Sequence, residues 1–398
     1  MEDIAYVAAG STPSKEHFVD KGIPYIKMYN LRNQKIDFDF QPQYIDRETH
    51  EGKLARSKTE PGDILMNIVG PPLGKIAIIP ESLPEANFNQ AAVLIRPYCY
   101  KNIIAKYLQL YLEQMDEINS ISTKGSAGQV NISLSQSQNM RVPLPPLHEQ
   151  ERIISKLEEY DCILETLNAN IKATYNTIDL AKSKILELAI TGQLVLQNPD
   201  DEPASELLKR INPKAEIITD NEHYPQLPDN WVICRLKDVC NYGKTQQVAV
   251  NEIGDNEWIL ELEDIEKDSG NIITRHRKND RSVNGVRNRF AKGMVLYSKL
   301  RTYLNKVLVA DAGGFCSTEI VPIQTHAVVL PEYLCAVLRS PQFLCYAAQC
   351  GYGVKMPRLS TNDAHKALIP VPPYQEQLRI ATAINRYSAT LDAIKDCL

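Results

Sequence analysis

Residues 145–192 read PPLHEQERIISKLEEYDCILETLNANIKATYNTIDLAKSKILELAITG. Between the opening prolines and the closing Thr191-Gly192 there is neither proline nor glycine, so nothing interrupts a helix. Ile153, Leu157, Tyr160, Leu164, Leu167, Ile171, Thr174, Ile178, Ala181, Ile185 and Leu188 advance by alternating steps of four and three. That rhythm is the a/d seam of a coiled coil, and only Thr174 in it is plainly polar. At ~1.5 Å per residue the helix is roughly 60 Å long, too long to bury its stripe against one small domain. The seam predicts a partner helix.

The chain supplies one. Residues 370–398, PVPPYQEQLRIATAINRYSATLDAIKDCL, keep the rhythm through Ile380, Ile384, Tyr387, Leu391, Ile394 and Leu398. A constant offset of 227 (380 − 153) carries these onto Ile153, Leu157, Tyr160, Leu164, Leu167 and Ile171. The flanks match as well: Val142-Pro143-Leu144-Pro145-Pro146 stands opposite Ile369-Pro370-Val371-Pro372-Pro373, and Glu149-Gln150 opposite Glu376-Gln377. Shared prolines and a shared Glu-Gln pair are not generic to amphipathic helices, so the match marks an internal repeat.

The repeat extends upstream of both helices. In the first part, IPYIKMYNL (23–31), GDILMNIV (62–69), KIAIIP (75–80) and AAVLIRP (91–97) are short β-rich runs bounded by Gly and Pro. A helix is expected around Ala105–Gln114, with Tyr107, Leu108, Tyr111 and Leu112 on one face. After Gly192 comes a proline-spaced connector containing one amphipathic helix near Ala204–Ile211, and Trp231 begins a second domain. There Gly293-Met-Val-Leu-Tyr answers Gly62-Asp-Ile-Leu-Met, Lys306-Val-Leu-Val answers Lys75-Ile-Ala-Ile, and Tyr333-Leu334 answers Tyr107-Leu108. The expected fold is α+β: two homologous mixed α/β domains, joined by long helices that form an antiparallel coiled coil with a pseudo-twofold relation. The expected segments are 1–147 and 229–373 for the domains, 148–191 for the long helix, 192–228 for the linker and 374–398 for the short second helix. The second copy carries a lead-in, 227–240, that the first lacks, and its helix stops opposite Ile171.

A chain of 398 residues, 43% hydrophobic and 23% charged, is expected to be a globular protein of two or three domains. No apolar run reaches the ~18 residues of a membrane span, and Met1-Glu-Asp does not open a signal peptide. The nine cysteines form no CxxC pair and are read as reduced thiols of a cytoplasmic protein. A net charge of −5 does not announce nucleic acid, so any DNA contact must come from local basic patches or be shared with a partner.

The repeated PLPPLxEQxRI and PVPPxxEQxRI openings, the long helix, the LAITGQL exit (Leu188–Leu194) and the LPxxW lead-in (Leu227–Trp231) resemble the specificity (S) subunits of type I restriction-modification systems. The resemblance covers essentially the whole chain. It implies a non-catalytic, DNA-binding subunit whose two target recognition domains each read half of a bipartite sequence. It further implies assembly with two adenine-N6 methyltransferase (M) subunits and two nuclease-translocase (R) subunits. S-adenosylmethionine is then expected on M, ATP and Mg on R, and no cofactor or metal in this chain. The short N-terminus and half-length second helix depart from the pattern.

Antiparallel helices would put the domains at opposite ends of a stiff spacer, as two separated half-sites require. The second helix would face Leu167–Leu188 and leave Ile153, Leu157, Tyr160 and Leu164 without an intrachain partner. A methyltransferase helix or a second S subunit is expected to cover them. The full interface set is Ile153, Leu157, Tyr160, Leu164, Leu167, Ile171, Ile178, Ile185, Leu188, Ile380, Ile384, Tyr387, Leu391 and Ile394.

For double-stranded DNA, the clearest footprint is Arg275, Arg277, Lys278, Arg281, Arg287, Arg289 and Lys292, accompanied locally by one acid, Asp280; Lys299, Arg301, Tyr303 and Lys306 follow. Glycine-containing loops before the helices offer Lys124, Ser126 and Gln129 in one copy and Tyr352, Lys355 and Arg358 in the other. Lys27, Tyr29, Asn30 and Arg32 follow a strand, as Lys244, Thr245 and Gln246 do in the second copy's early loop, and supply charge and amides.

Enzyme chemistry finds no comparable support. Val371-Pro-Pro-Tyr374 resembles an amino-methyltransferase motif, but Val stands where a polar acceptor is needed. Gly70-Pro-Pro-Leu-Gly-Lys-Ile76 falls short of a phosphate loop in glycine spacing and lacks Ser/Thr after Lys. No HExxH is present. The alternatives are a coiled-coil scaffold with protein-binding domains, which would show no salt-dependent DNA affinity, and a stand-alone methyltransferase, which would transfer methyl groups unaided.

Overall fold

The computed structural model describes residues 1–70, 73–113, 130–219, 224, 227–353 and 356–398. They divide into two compact units, Met1–Asn168 and Ala169–Leu398.

In the first unit, alternating apolar runs build two small sheets. One has the order β1 (Ala5–Ala9), β11 (Ala92–Pro97), β7 (Ile64–Asn67), β9 (Ile76–Ile78), with antiparallel neighbours throughout. The other runs β10 (Asn87–Phe88), β3 (Ile23–Ile26), β6 (Tyr44–Ile45), β2 (Phe18–Val19), with β10 and β3 parallel. A two-residue turn joins the hairpin β4 (Leu31–Arg32) and β5 (Lys35–Ile36), and β8 (Val69–Gly70) pairs with β12 (Val130–Asn131). Helix α1 (Arg47–Glu51) is capped by Asp46, and α2 (Lys101–Glu113) lays Tyr107, Leu108 and Leu112 on the core. That helix starts four residues before the expected Ala105, because Lys101–Ile104 already has helical backbone bonding. Ser133 caps α3 (Leu134–Gln138), which leads to the long helix α4 (Leu147–Ile190).

The second unit repeats these parts. In the five-stranded sheet β14 (Gln246–Ala249), β17 (Val286–Phe290), β20 (Gly314–Cys316), β15 (Trp258–Leu260), β16 (His276–Arg277), the parallel pair β15/β20 answers β3/β10. The sheet β19 (Val307–Val309), β18 (Val295–Ser298), β21 (Ile320–Ile323) answers β9, β7 and β11, down to the register: Leu296 faces Leu308 as Leu65 faces Ala77. A further pair joins β13 (Val232–Arg235) to β22 (Leu368–Val371). The helices are α5 (Ala204–Ile211), α6 (Leu236–Val239), α7 (Pro331–Arg339), α8 (Pro341–Cys350), α9 (Thr361–Lys366, capped by Ser360 as Ser133 caps α3) and α10 (Tyr374–Asp396). Single hydrogen bonds repeat too. Tyr107 Oη donates to Pro143 O at 2.8 Å and Tyr333 Oη to Pro370 O at 2.9 Å; Gln150 donates to Pro145 O and Gln377 to Pro372 O. The shared Glu-Gln pair therefore has a structural use: its glutamine ties the helix start back to the proline turn.

Helix α4 is continuous over 44 residues, ~66 Å at the standard rise. Its end is tightly specified. Gly192 has φ +74°, and a Cβ there would lie 2.5 Å from Pro228 Cγ and 3.3 Å from Trp231 Cζ2; only glycine satisfies both the backbone and the contact. Trp231 Nε1 donates to Glu376 Oε2 at 3.0 Å, and Gln197 to Glu376 Oε1 at 2.5 Å, so exit, lead-in and α10 meet around one buried carboxylate.

Within the second unit, the C-terminal part of α4 lies antiparallel to α10. Ala189 and Ile190 share a core with Ile380, Lys182 pairs with Asp392, and the Lys395 ammonium sits 6.0 Å over Tyr175. Contacts that descend along α4 ascend along α10, as the heptads require. Ile178 is buried, and Ile171, Ile185, Leu188, Ile384 and Leu391 are half-buried, while Tyr387 and Ile394 are more open.

The N-terminal part of α4 differs from expectation at two places, Ile153 and Leu167, the latter 51% exposed although it was expected to face the second helix. Ile153, with Ile154, packs against the first unit's core beside Tyr107 and Met140, so it has an intrachain partner. The first turn passes over the domain before the helix leaves it. Beyond that turn, Leu157 (39% exposed), Tyr160, Ile163, Leu164 (54%) and Leu167 face outward. No helix among the described residues is long and apolar enough to cross a membrane.

Candidate nucleic-acid interface

In the first unit the loop after β3 is tied by its own side chains. Asn30 is buried; its Oδ1 accepts from Lys27 N at 2.9 Å, and its Nδ2 donates to Asp37 O and Phe40 O at 3.1 and 2.8 Å. With oxygen and amide both committed inward, Asn30 shapes the loop and has no edge to offer a base, a correction to its expected role. Asp264 occupies the matching place in the second unit, accepting from Glu261 N at 2.8 Å.

That loop walls a cleft of about 580 Å³ lined by Tyr29, Arg32, Gln34, Phe40 and Lys75, among others. Tyr29 Oη donates to Gln41 O at 3.2 Å, the ring meets Phe40 edge-on at 6.1 Å, and burial raises its phenol pKa. Lys27 is half-buried, its ammonium 5.5 Å from the Phe18 ring. The Arg32 guanidinium lies 4.1 Å from the Phe40 centroid, and its Nε is 3.7 Å from Asp37. Asn33 and Gln34, at φ 48° and 55°, make the hairpin turn, and Gln34 Oε1 accepts from Ile76 N at 2.9 Å. By contrast Arg47, Lys58, Arg96 and Lys101 pair with acids at distances of structural ion pairs.

The cationic run of the second unit is not a free patch. Arg275 pairs with Asp311 and stacks 4.5 Å over Trp258. Lys278 reaches Asp255 (3.1 Å) and Ile253 O, Arg281 reaches Asp264 (2.6 Å), and Arg287 reaches Glu261 (2.8 Å). The acids come from segments distant in sequence, so the local excess of positive charge is largely spent holding the sheet and its loops together. Arg277, Arg289 and Lys292 remain exposed. Strand register sets Gln246 opposite Arg289 at the sheet edge, and exposed Lys244 lies in the turn just before it.

A second cluster forms where two loops meet. Arg301 N donates to Pro357 O at 2.8 Å, and Tyr352 and Arg358 exchange both backbone bonds. This brings Lys299 and Arg301 beside Arg358, whose guanidinium is held by Glu319 at 2.9 and 3.1 Å, and Tyr303, two residues beyond Arg301, is exposed. Lys306 faces inward, donating to Leu262 O at 2.6 Å, and burial lowers its pKa. Lys124, Ser126, Gln129 and Lys355 lie outside the described residues.

Residues 1–174 match the family model described as the type I restriction modification DNA specificity domain. The specificity subunits of the E. coli enzymes EcoDI and EcoAI are each 24% identical to the chain, over 75% and 73% of it and over 67% and 60% of their own lengths. The EcoKI specificity subunit of E. coli K12 is 22% identical over 99% of this chain and 82% of that protein. The chain is thus similar to type I specificity subunits, through the domain matched over residues 1–174 and through these relatives.

The solved HsdS subunit from Thermoanaerobacter tengcongensis shares the fold, with a TM-score of 0.58 at 15% identity over 100% of this chain and 90% of that one. Among the described residues, no group of three or more His, Cys, Asp or Glu is placed to hold a metal ion. Phe40, Gln34 and Lys75 of the first cleft escaped the sequence analysis as site residues. They come from separate segments, and only the β5–β9 contact brings Lys75 to Arg32. The repeat match at Lys75/Lys306 was the one available signal.

Proposed function

We propose that this chain is a type I specificity subunit, a non-catalytic reader of a bipartite double-stranded DNA target, one half assigned to each recognition domain. It would direct two methyltransferase subunits to that target and accept two restriction subunits. The duplication carries this reading: two domains with the same strand register, the same cap and the same proline-tied helix start. A duplicated reading head suits a target in two parts.

Candidate contacts are Lys27, Tyr29 and Arg32 in the first domain, and Lys244, Gln246, Arg275, Arg277, Lys278, Lys299, Arg301, Tyr303 and Arg358 in the second, with Lys124, Ser126, Gln129 and Lys355 in the loops before the helices. Several of these cations already have acidic partners, so DNA phosphates would compete with, or add to, existing ion pairs. The outward stripe Leu157–Leu167 is the proposed seat of a methyltransferase helix, and a second S subunit could use the same stripe. S-adenosylmethionine would be bound by M, and ATP and Mg by R.

Co-production with the cognate M subunits and genome-wide mapping of modified adenines tests the proposal. A split motif with a constant gap is expected, and exchange of residues 1–145 with those of another family member should alter one half only. Methylation that follows no motif would refute it.

A further inference from the structure

Each copy has a cleft beside the loop that follows the first strand of its parallel pair, although the two clefts are lined at different positions of the repeat. In each copy, that loop leans on the strand that follows Lys75 or Lys306. Gln34 Oε1 takes the Ile76 amide in the first, and in the second Gly270 approaches Val307 O so closely that a Cβ would lie 2.2 Å from it. The first cleft is lined by Arg32 and Lys75, the second (about 490 Å³) by Arg275, Asp311 and Arg339.

At the rim of each cleft an arginine lies on an aromatic face: Arg32 on Phe40, and Arg275 on Trp258. Descent from a common repeat does not account for this. The offset of 234 (261 − 27) that aligns the two loops puts Glu266, not Arg275, opposite Arg32. The same device has been built twice from different positions on one scaffold, which points to a shared task.

The physical value of the device is pre-organisation. A ring beneath the guanidinium fixes its plane and leaves the two-pronged edge free. A fixed, planar fork of donors matches guanine O6 and N7 in the major groove, and no other base edge there accepts both prongs. We infer that Arg32 and Arg275 are specificity-determining residues, each reading a guanine, one in each half of the target. This rests on the DNA-reading function proposed above and adds to it the residue and the base. Arg32 is the more available of the two, since its Nε is 3.7 Å from Asp37 whereas Arg275 is held by Asp311. On DNA, the Arg275 fork must leave or share that carboxylate.

The test uses the full chain co-produced with its M subunits, with adenine methylation mapped genome-wide for wild type, R32K, R32A, F40L and R275K. Lysine keeps the charge and loses the fork. R32K should relax one G·C position in one half of the motif, with discrimination there falling roughly 5- to 150-fold, while the gap and the other half stay unchanged. R275K should do the same in the other half, and F40L should give a weaker relaxation at the R32K position. An unchanged motif in R32K overturns the assignment. So does a uniform loss of methylation at all sites in R32A with a shallower salt dependence, the behaviour of a phosphate contact. Loss of M subunits on co-purification with the motif intact would instead make the cleft a protein-docking surface, and would also overturn it. Absence of any motif from the wild-type chain refutes the DNA-reading function itself, and this assignment with it.

Discussion

Replacing Leu164 and Leu167 together by aspartate separates assembly from folding. Leu157, Tyr160, Ile163, Leu164 and Leu167 are 39–54% exposed. Covering about half of each side chain is worth about 0.8–1.5 kcal/mol, given ~1.5–3 kcal/mol for full burial. Over the five, roughly 4–7 kcal/mol of gross driving force is on offer before the costs of association. L164D/L167D removes two of these contributions from the middle of the stripe and places two unpaired carboxylates in any interface built there, so affinity for an M subunit should fall at least ~100-fold. In the chain alone both positions already face water, and stability should change by no more than about 0.5 kcal/mol at each. Ile178, on the same seam but 4% exposed against the second unit, should behave in the opposite way: I178A should lose about 2–5 kcal/mol of folding stability. Urea unfolding of the isolated chain and titration of M subunits by sedimentation velocity measure the two quantities separately. Wild-type affinity in L164D/L167D, or a stability loss above about 2 kcal/mol, would refute the reasoning.

Three further outcomes follow from the geometry. G192A should destabilise by roughly 2–4 kcal/mol in urea unfolding, because the added Cβ meets Pro228 and the residue sits at φ +74°; an unchanged midpoint would mean the turn relaxes freely. N30A removes all three side-chain hydrogen bonds that tie the 27–40 loop and should cost about 2–4 kcal/mol, so a variant as stable as wild type would show the loop is held by other contacts. Burial raises the Glu376 pKa above its usual 4.5, partly opposed by the hydrogen bonds from Gln197 and Trp231. The folded state then holds this proton more tightly than the unfolded chain, so the contribution is fully present below pH 4.5 and is lost as pH rises through the folded value. The stability of wild type relative to E376Q should accordingly fall from pH 4 to pH 7, and a difference that stays level or rises would contradict the buried setting.

The helices, the internal repeat and the family resemblance were legible in the sequence because each rests on short-range pattern. Leu157-to-Leu188 spacing encodes a seam, and Pro145-Pro146 with Gln150 recurs at Pro372-Pro373 with Gln377 because both tie a helix to a turn. The recognition surface was far less legible. Asn30 has the chemistry of a base-reading amide and is spent inside its own loop. Arg281 and Arg287 belong to a basic run on paper and to part-buried ion pairs in the fold.

By itself, then, the sequence determined what repeats and what is helical, since heptad phase, proline turns and strand alternation are properties of residues within a few positions of one another. Tertiary structure alone decided which cations stay available, that Ile153 belongs to the first unit's core, and which part of the long stripe α10 covers. Those outcomes depend on groups far apart in the chain, such as Asp264 facing Arg281 or Asp392 facing Lys182, and only folding brings their charges and apolar surfaces within reach.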